Sequence, residues 1–163
     1  MYNITLEFSK NTVSGLLILK KTSDSTFRLI LNAEMGPKLL DMELLPNEYK
    51  TIYAYKKLNK RRILKTFYID FASLTGILTR NKAYNIDYSR LSTDFTYDLG
   101  KKNKIIYSSE PATTRINSGK MEDENSINTI FYYFYDSSTS GISSMKLEHQ
   151  HFRMVILLKK INL

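Results

Sequence analysis

Between Tyr2 and Tyr55 apolar and polar residues alternate with few interruptions, and that two-residue period leaves few folds open to the chain. Tyr2, Ile4, Leu6 and Phe8 fall on one side of it; Asn3, Thr5, Glu7 and Ser9 fall on the other. The period returns at Phe27, Leu29 and Leu31, and again at Leu40, Met42 and Leu44. Successive side chains of a strand point to opposite faces, so each set marks one face. Turn chemistry separates the sets at Lys10-Asn11-Thr12, Thr22-Ser23-Asp24-Ser25, Gly36-Pro37 and Pro46-Asn47-Glu48. The spacing predicts strands over 2–9, 13–20, 26–33, 38–45 and 49–55. Short connections make them an antiparallel meander with one apolar face.

The period then changes. Ile63, Leu64, Phe67, Phe71, Leu74 and Leu78 make one stripe of a 3.6-residue helix, with Asn59 as its expected N-cap and Gly76 near its end. Burying one large apolar side chain contributes roughly 1.5–3 kcal/mol, so six can dock the helix on a sheet. Residues 81–121 are weakly patterned; Tyr84, Ile86, Tyr88 and Ile105, Ile106, Tyr107 read as short strands or loop anchors. Gly119 to Asn125 reads as a polar turn. A strand is expected over 127–135, a loop over 136–141, and one or two strands over 142–161. Twisted sheets of this many strands curl. The expected fold is therefore mostly β with one main helix (α+β): a half-open antiparallel β-barrel with a helical lid on its concave face, in a single domain over residues 1–163.

No strong catalytic motif accompanies this pattern. The 163 residues include no Cys, which removes disulfides, thiolate metal sites and cysteine nucleophiles. No Gly-rich phosphate loop and no zinc spacing occurs. Asp41 and Glu43 stand two apart on a strand, with no partner that would make them an acid/base pair, and are expected at the surface. His149 and His151 share a strand face, but Glu148 points away, so no metal is expected. The formal net charge is +8, with basic residues spread along the chain and local clusters at Lys56, Lys57, Lys60, Arg61, Arg62 and Lys65 and at Lys101, Lys102 and Lys104. The first cluster suits an anionic membrane surface or an acidic partner. Basic residues are not interleaved with the aromatics of 131–135, which argues against nucleic acid. A non-enzymatic protein without a cofactor is expected.

Several segments carry a resemblance. Ser14-Gly15-Leu16-Leu17-Ile18-Leu19-Lys20-Lys21, Asp24-Ser25-Thr26-Phe27-Arg28-Leu29, Gly36-Pro37-Lys38 with Asp41, and the helix with Asp70-Phe71 resemble envelope lipoproteins of the Bacteroidetes group. Those are similar to the LolA/LolB lipoprotein-localisation superfamily, as is the closing segment with His149, His151, Phe152 and Ile156. The resemblance covers residues 2–78 and 142–161. It implies an apolar cavity for acyl chains of lipoproteins or other lipids. Phe27, Leu29, Leu31, Leu40, Met42 and Leu44 would line it, and Phe67, Phe71 and Leu74 would face it from the lid. It also implies a carrier or acceptor on the periplasmic side of the bacterial outer membrane, lipid-anchored in its full-length form; a monomer is expected. The chain departs from the LolB-like pattern in that no loop is located with the exposed apolar residue those proteins use to enter a membrane; Met35, beside Gly36-Pro37, is the residue weighed for that part. The other reading is a structural or interaction lipoprotein of the same fold with a filled core.

Overall fold

Twelve strands and one α-helix account for most of the chain. In order they are β1 (Tyr2–Phe8), β2 (Asn11–Ser23), β3 (Thr26–Ala33), β4 (Lys38–Leu44), β5 (Tyr49–Ala54), α1 (Arg61–Leu74), β6 (Tyr84–Tyr88), β7 (Thr93–Gly100), β8 (Asn103–Ser109), β9 (Ile116–Glu122), β10 (Ile127–Tyr135), β11 (Ile142–His149) and β12 (Met154–Lys160). A computed structural model describes residues 1–8, 11–80, 82, 84–111, 113, 115–124, 126–137 and 140–161. Ser9 and Lys10, assigned above to the first strand and turn, lie outside the described residues; so do Asn81, Asn125, Ser138 and Thr139. The hydrogen-bonded strand order is β5-β4-β3-β2-β1-β12-β11-β10-β9-β8-β7-β6. The order is open, with β5 and β6 at its two ends. This is the mostly antiparallel, unclosed sheet with one helix that the pattern predicts.

Two compact units share the chain: Met1–Thr5, Val13–Arg80 and Lys160–Leu163 form the first, and Leu6–Thr12 with Asn81–Lys159 the second. In the first unit, register sets apolar side chains in rows. Leu17, Leu31 and Leu40 stand opposite one another; Leu19, Leu29 and Met42 form the next row, and Phe27 pairs with Leu44. The β2–β3 hairpin is tighter than expected. Strand β2 runs on to Ser23, which pairs with Thr26, leaving Asp24-Ser25 as a two-residue turn. Lys21 Nζ bonds Asp24 at 3.0 Å across it, and the Ser25 N–H donates to Ser23 Oγ at 3.3 Å.

The helix begins two residues past Asn59. Main-chain N–H groups of Leu58 and Asn59 donate to Tyr55 O at 2.7 and 3.0 Å, so a turn already uses the segment expected to cap it. Lys60 stands at the N-cap with no side-chain bond, and the first turn carries no acid. At the other end Gly76, with φ of 70°, takes the left-handed conformation that stops the helix, and a 3-10 turn at Ile77–Thr79 buries Ile77 and Leu78.

The second unit corrects the sequence reading most. Residues 81–121, weakly patterned, hold β6, β7, β8 and part of β9. All five residues of β6 are exposed, although Tyr84, Ile86 and Tyr88 alternate with Asn85 and Asp87. Gly119 is not a turn residue but a buried position within β9. The turn falls later, where the Asp123 N–H donates to Ser126 O at 3.0 Å. One apolar row crosses seven strands through Ile86, Phe95, Tyr107, Gly119, Phe131, Leu147 and Ile156. Gly119 is its one bare position, and the Phe131 ring fills the space; a Cβ there would overlap that ring. Tyr107 packs against the same ring at 5.9 Å between centroids. The segment 142–161 forms two strands, with the reversal at 150–153.

Gly119→Ala is expected to destabilise the protein by about 1–3 kcal/mol through overpacking. Combining it with Phe131→Leu should cost less than the sum of the two single changes. Urea unfolding of the three variants measures this.

Candidate functional site

The layer named from sequence assembles on β3, β4 and α1. Leu29, Leu31, Leu40, Met42 and Leu44 are at most 2% exposed, while Phe27, nearer the strand end, is half-buried. On α1, Phe67, Phe71 and Leu74 are buried, with the Phe67 and Phe71 rings stacked at 6.1 Å. Met42 lies fully buried among branched side chains, and its unbranched thioether adapts to irregular space.

Tyr68 belongs to this layer and sequence reasoning passed it over. The spacing from Leu64 to Tyr68 to Phe71, four and then three residues, already puts it on the buried stripe. Its hydroxyl donates to Leu45 O at 3.0 Å, and its ring lies 5.2 Å from that of Tyr49. The helix is thereby tied to the end of β4 and to β5. Burial, reinforced by the charge of Glu48, pushes the Tyr68 hydroxyl up to about 12.

The opposite face of β3 and β4 is polar, and it contradicts one expectation. Asp41 is buried and not a surface carboxylate. Arg28 donates to it from Nε and Nη2 at 2.8 and 3.1 Å, and Lys38 from Nζ at 2.8 Å. The Arg28 hydrogen bond, aided by that of Lys38, holds the carboxyl below its usual range against the opposing effect of burial. Glu43, two residues on, is half-buried.

Lys56, Lys57, Lys60, Arg61, Arg62 and Lys65 are all exposed. Among the described residues no ion pair joins any of them to a carboxylate. They follow β5, whose end pairs with the start of β4: Ala54 stands opposite Leu40, and the Tyr55 N–H donates to Leu39 O at 2.8 Å. The β3–β4 turn sits at this same end, closed by the Ala33 N–H donating to Pro37 O at 3.2 Å. Met35, in that turn, is completely exposed.

The two histidines separate. His149 ends β11, bonds Thr129 Oγ1 through Nδ1 at 3.3 Å and stacks on Phe152 at 4.3 Å. His151 lies beyond the strand and bonds Ser126 Oγ through Nε2 at 3.0 Å. Among the described residues no three His, Asp or Glu side chains gather to hold a metal. A polar groove of about 710 Å³ opens in the second unit, bordered by Tyr84, Asp98, Lys104, Glu122 and Ile127 among others. Two of its carboxylates meet lysines: Lys104 and Lys120 bond Glu122 at 2.9 and 3.1 Å, and Lys102 bonds Glu124 at 2.7 Å.

No protein-family model matches the chain, and no curated protein matches it. Solved structures do. A DUF1329 family protein from Desulfovibrio piger superposes with a TM-score of 0.55 at 8% identity, over 97% of this chain and 82% of its own. A domain provisionally assigned as an outer membrane lipoprotein-sorting protein, from Vibrio parahaemolyticus, superposes with a TM-score of 0.54 at 12% identity, over 99% and 81%. The likeness is one of fold, and it agrees with the mostly antiparallel, unclosed sheet with one helix expected from the sequence.

Tyr68→Phe is expected to cost about 1 kcal/mol at neutral pH through the lost bond to Leu45. A hydroxyl whose folded value is raised contributes stability below about pH 10, lost as pH climbs toward the folded value. The variant should therefore lose less stability than the parent at alkaline pH, as read by urea unfolding at several pH values. For Asp41 the sign reverses. Its depressed value contributes stability above about pH 4 that disappears as pH falls further. Asp41→Asn should be less stable at pH 7 and show a shallower acid-induced loss, by the same measurement.

Proposed function

We propose that the chain is a non-enzymatic lipid- or lipoprotein-binding protein of the bacterial envelope, which docks on an anionic membrane and takes acyl chains into the apolar layer beneath α1. The observation that carries this reading is the end of the β3–β5 meander. There a fully exposed Met35 and a cluster of six cations, unpaired among the described residues, occupy one end of the same small sheet. Exposed apolar tips beside basic residues suit a bilayer interface: the apolar group enters it, and each cation contributes about 1 kcal/mol near anionic lipid. The fold likeness to a domain provisionally assigned to lipoprotein sorting supports the same reading. Acyl chains need apolar contact and exclusion of water more than directed polar bonds. The layer formed by Leu29, Leu40, Met42, Phe67 and Phe71 offers such contact once α1 moves. The helix has no N-terminal side-chain cap and no acid in its first turn, so packing and the Tyr68 bond hold it.

A second reading, a structural envelope protein with a filled core, is favoured by the complete burial of Leu29, Leu40, Met42, Leu44 and Phe71.

Organic extraction of the purified chain, followed by mass spectrometry, should release fatty acid or lipopeptide, and a fluorescent acyl probe should bind. Binding should weaken in Phe67→Asp in a protein that still folds by circular dichroism. Sedimentation with vesicles containing phosphatidylglycerol should fall several-fold in Met35→Glu. A chain that carries no lipid, binds no probe and ignores anionic vesicles would leave the filled-core reading in place.

A further inference from the structure

The open edge at β6 has the chemistry of a strand made to meet its own copy. Its sequence, Tyr-Asn-Ile-Asp-Tyr, is nearly the same read in either direction about Ile86. Tyr84 is 51% exposed, Ile86 37% and Tyr88 78%, an unusual display of large apolar side chains for a sheet edge. Among the described residues the strand pairs with β7 alone. The β6–β7 register places Ser89 opposite Ser92, and the Ser89 N–H donates to Ser92 O at 2.9 Å. Bonded and non-bonded pairs alternate down an antiparallel ladder. Asp87 and Asn85 therefore spend their main-chain groups on β7. Tyr84, Ile86 and Tyr88 turn theirs to the open edge.

We propose that β6 is a self-pairing edge through which two copies of the chain join their sheets, antiparallel, about a twofold axis at Ile86. In that register Ile86 meets Ile86 of the second copy, and Tyr84 meets its Tyr88. The outward main-chain groups then form about six hydrogen bonds. Asn85 meets Asp87 of the second copy on the other face, an amide donor against a carboxylate. This pairing also answers a local cost. Asp87 stands directly opposite Asp94 across β6–β7, and like charges so placed destabilise a sheet. An Asn amide brought beside Asp87 supplies a donor there. The apolar row ending at Ile86 would continue from Phe95 through both isoleucines into the row of the second copy. Five residues a side make a small contact, so the dimer is weak and concentration-dependent. The proposal goes beyond the monomer expected from sequence and does not rest on the lipid reading.

Analytical ultracentrifugation from micromolar to millimolar protein is the test. The unmodified chain should shift from monomer toward dimer, and Ile86→Pro should weaken association at least tenfold with an unchanged melting curve. The proline removes only the outward N–H and so spares the β6–β7 ladder. Cross-linking covers the case in which the proline variant unfolds, and the chain has no native Cys to interfere. Under mild oxidation Ile86→Cys should form a disulfide dimer, since directly opposite bonded residues have Cα atoms about 5.5 Å apart, within disulfide reach. Asn85→Cys should not, because its own copy is diagonal to it. A chain that stays monomeric throughout, a dimer untouched by Ile86→Pro, or equal cross-linking at both positions would overturn the proposal, the first leaving the edge to a different partner.

Discussion

Cross-strand register carries this structure, because the side-chain period of a strand leaves no room for a slip. Moving any one of the central strands by a single residue would exchange its two faces. Leu29, Leu31, Leu40 and Met42 would then turn toward the polar side, and Arg28, Asp41 and Glu43 would enter the apolar layer. The Arg28–Asp41–Lys38 group acts against that slip. It forms only when β3 and β4 are aligned as they are, and it leaves a buried carboxylate without donors otherwise. A polar cluster on one face thus protects the apolar arrangement on the other.

The helix depends on that arrangement and contributes little to its own start. Its N-terminus lacks a side-chain cap and gathers cations where the helix dipole favours anions. Its stability comes from the stripe on its buried side and from Tyr68, whose single hydrogen bond reaches the end of β4. Such a helix is attached firmly along one side and loosely at one end.

Strands β1 to β4 were legible because each buries an apolar row on one face, and burial writes itself into sequence as alternation. The helix was legible by the same logic at a different period. What escaped was structure without that imprint. Strand β6 keeps a two-residue period at Tyr84, Ile86 and Tyr88, but it is five residues long and buries neither face, so the run alone does not separate a strand from a loop anchor. Strand β9 places Gly119 where a large apolar residue would have signalled a core position, because Phe131 from the neighbouring strand already fills the space. Asp41 looked like a surface residue because its neutralising partners, thirteen residues before it and three, are adjacent only after the hairpin forms. Tyr68 had a visible signal in its spacing but was hidden by a hydroxyl that reads as polar. The nine residues expected to line the site do gather at buried or half-buried positions on β3, β4 and α1.

The crowding of cations at the beginning of α1 has a consequence for the solution around it. Like charges held this close draw a cloud of small mobile anions, confined within about 10 Å at ordinary ionic strength. A polyvalent negative surface approaching that end would take the place of the cloud. The displaced ions would return to bulk, an entropic reward that shrinks as salt rises, since ions already plentiful gain little by release.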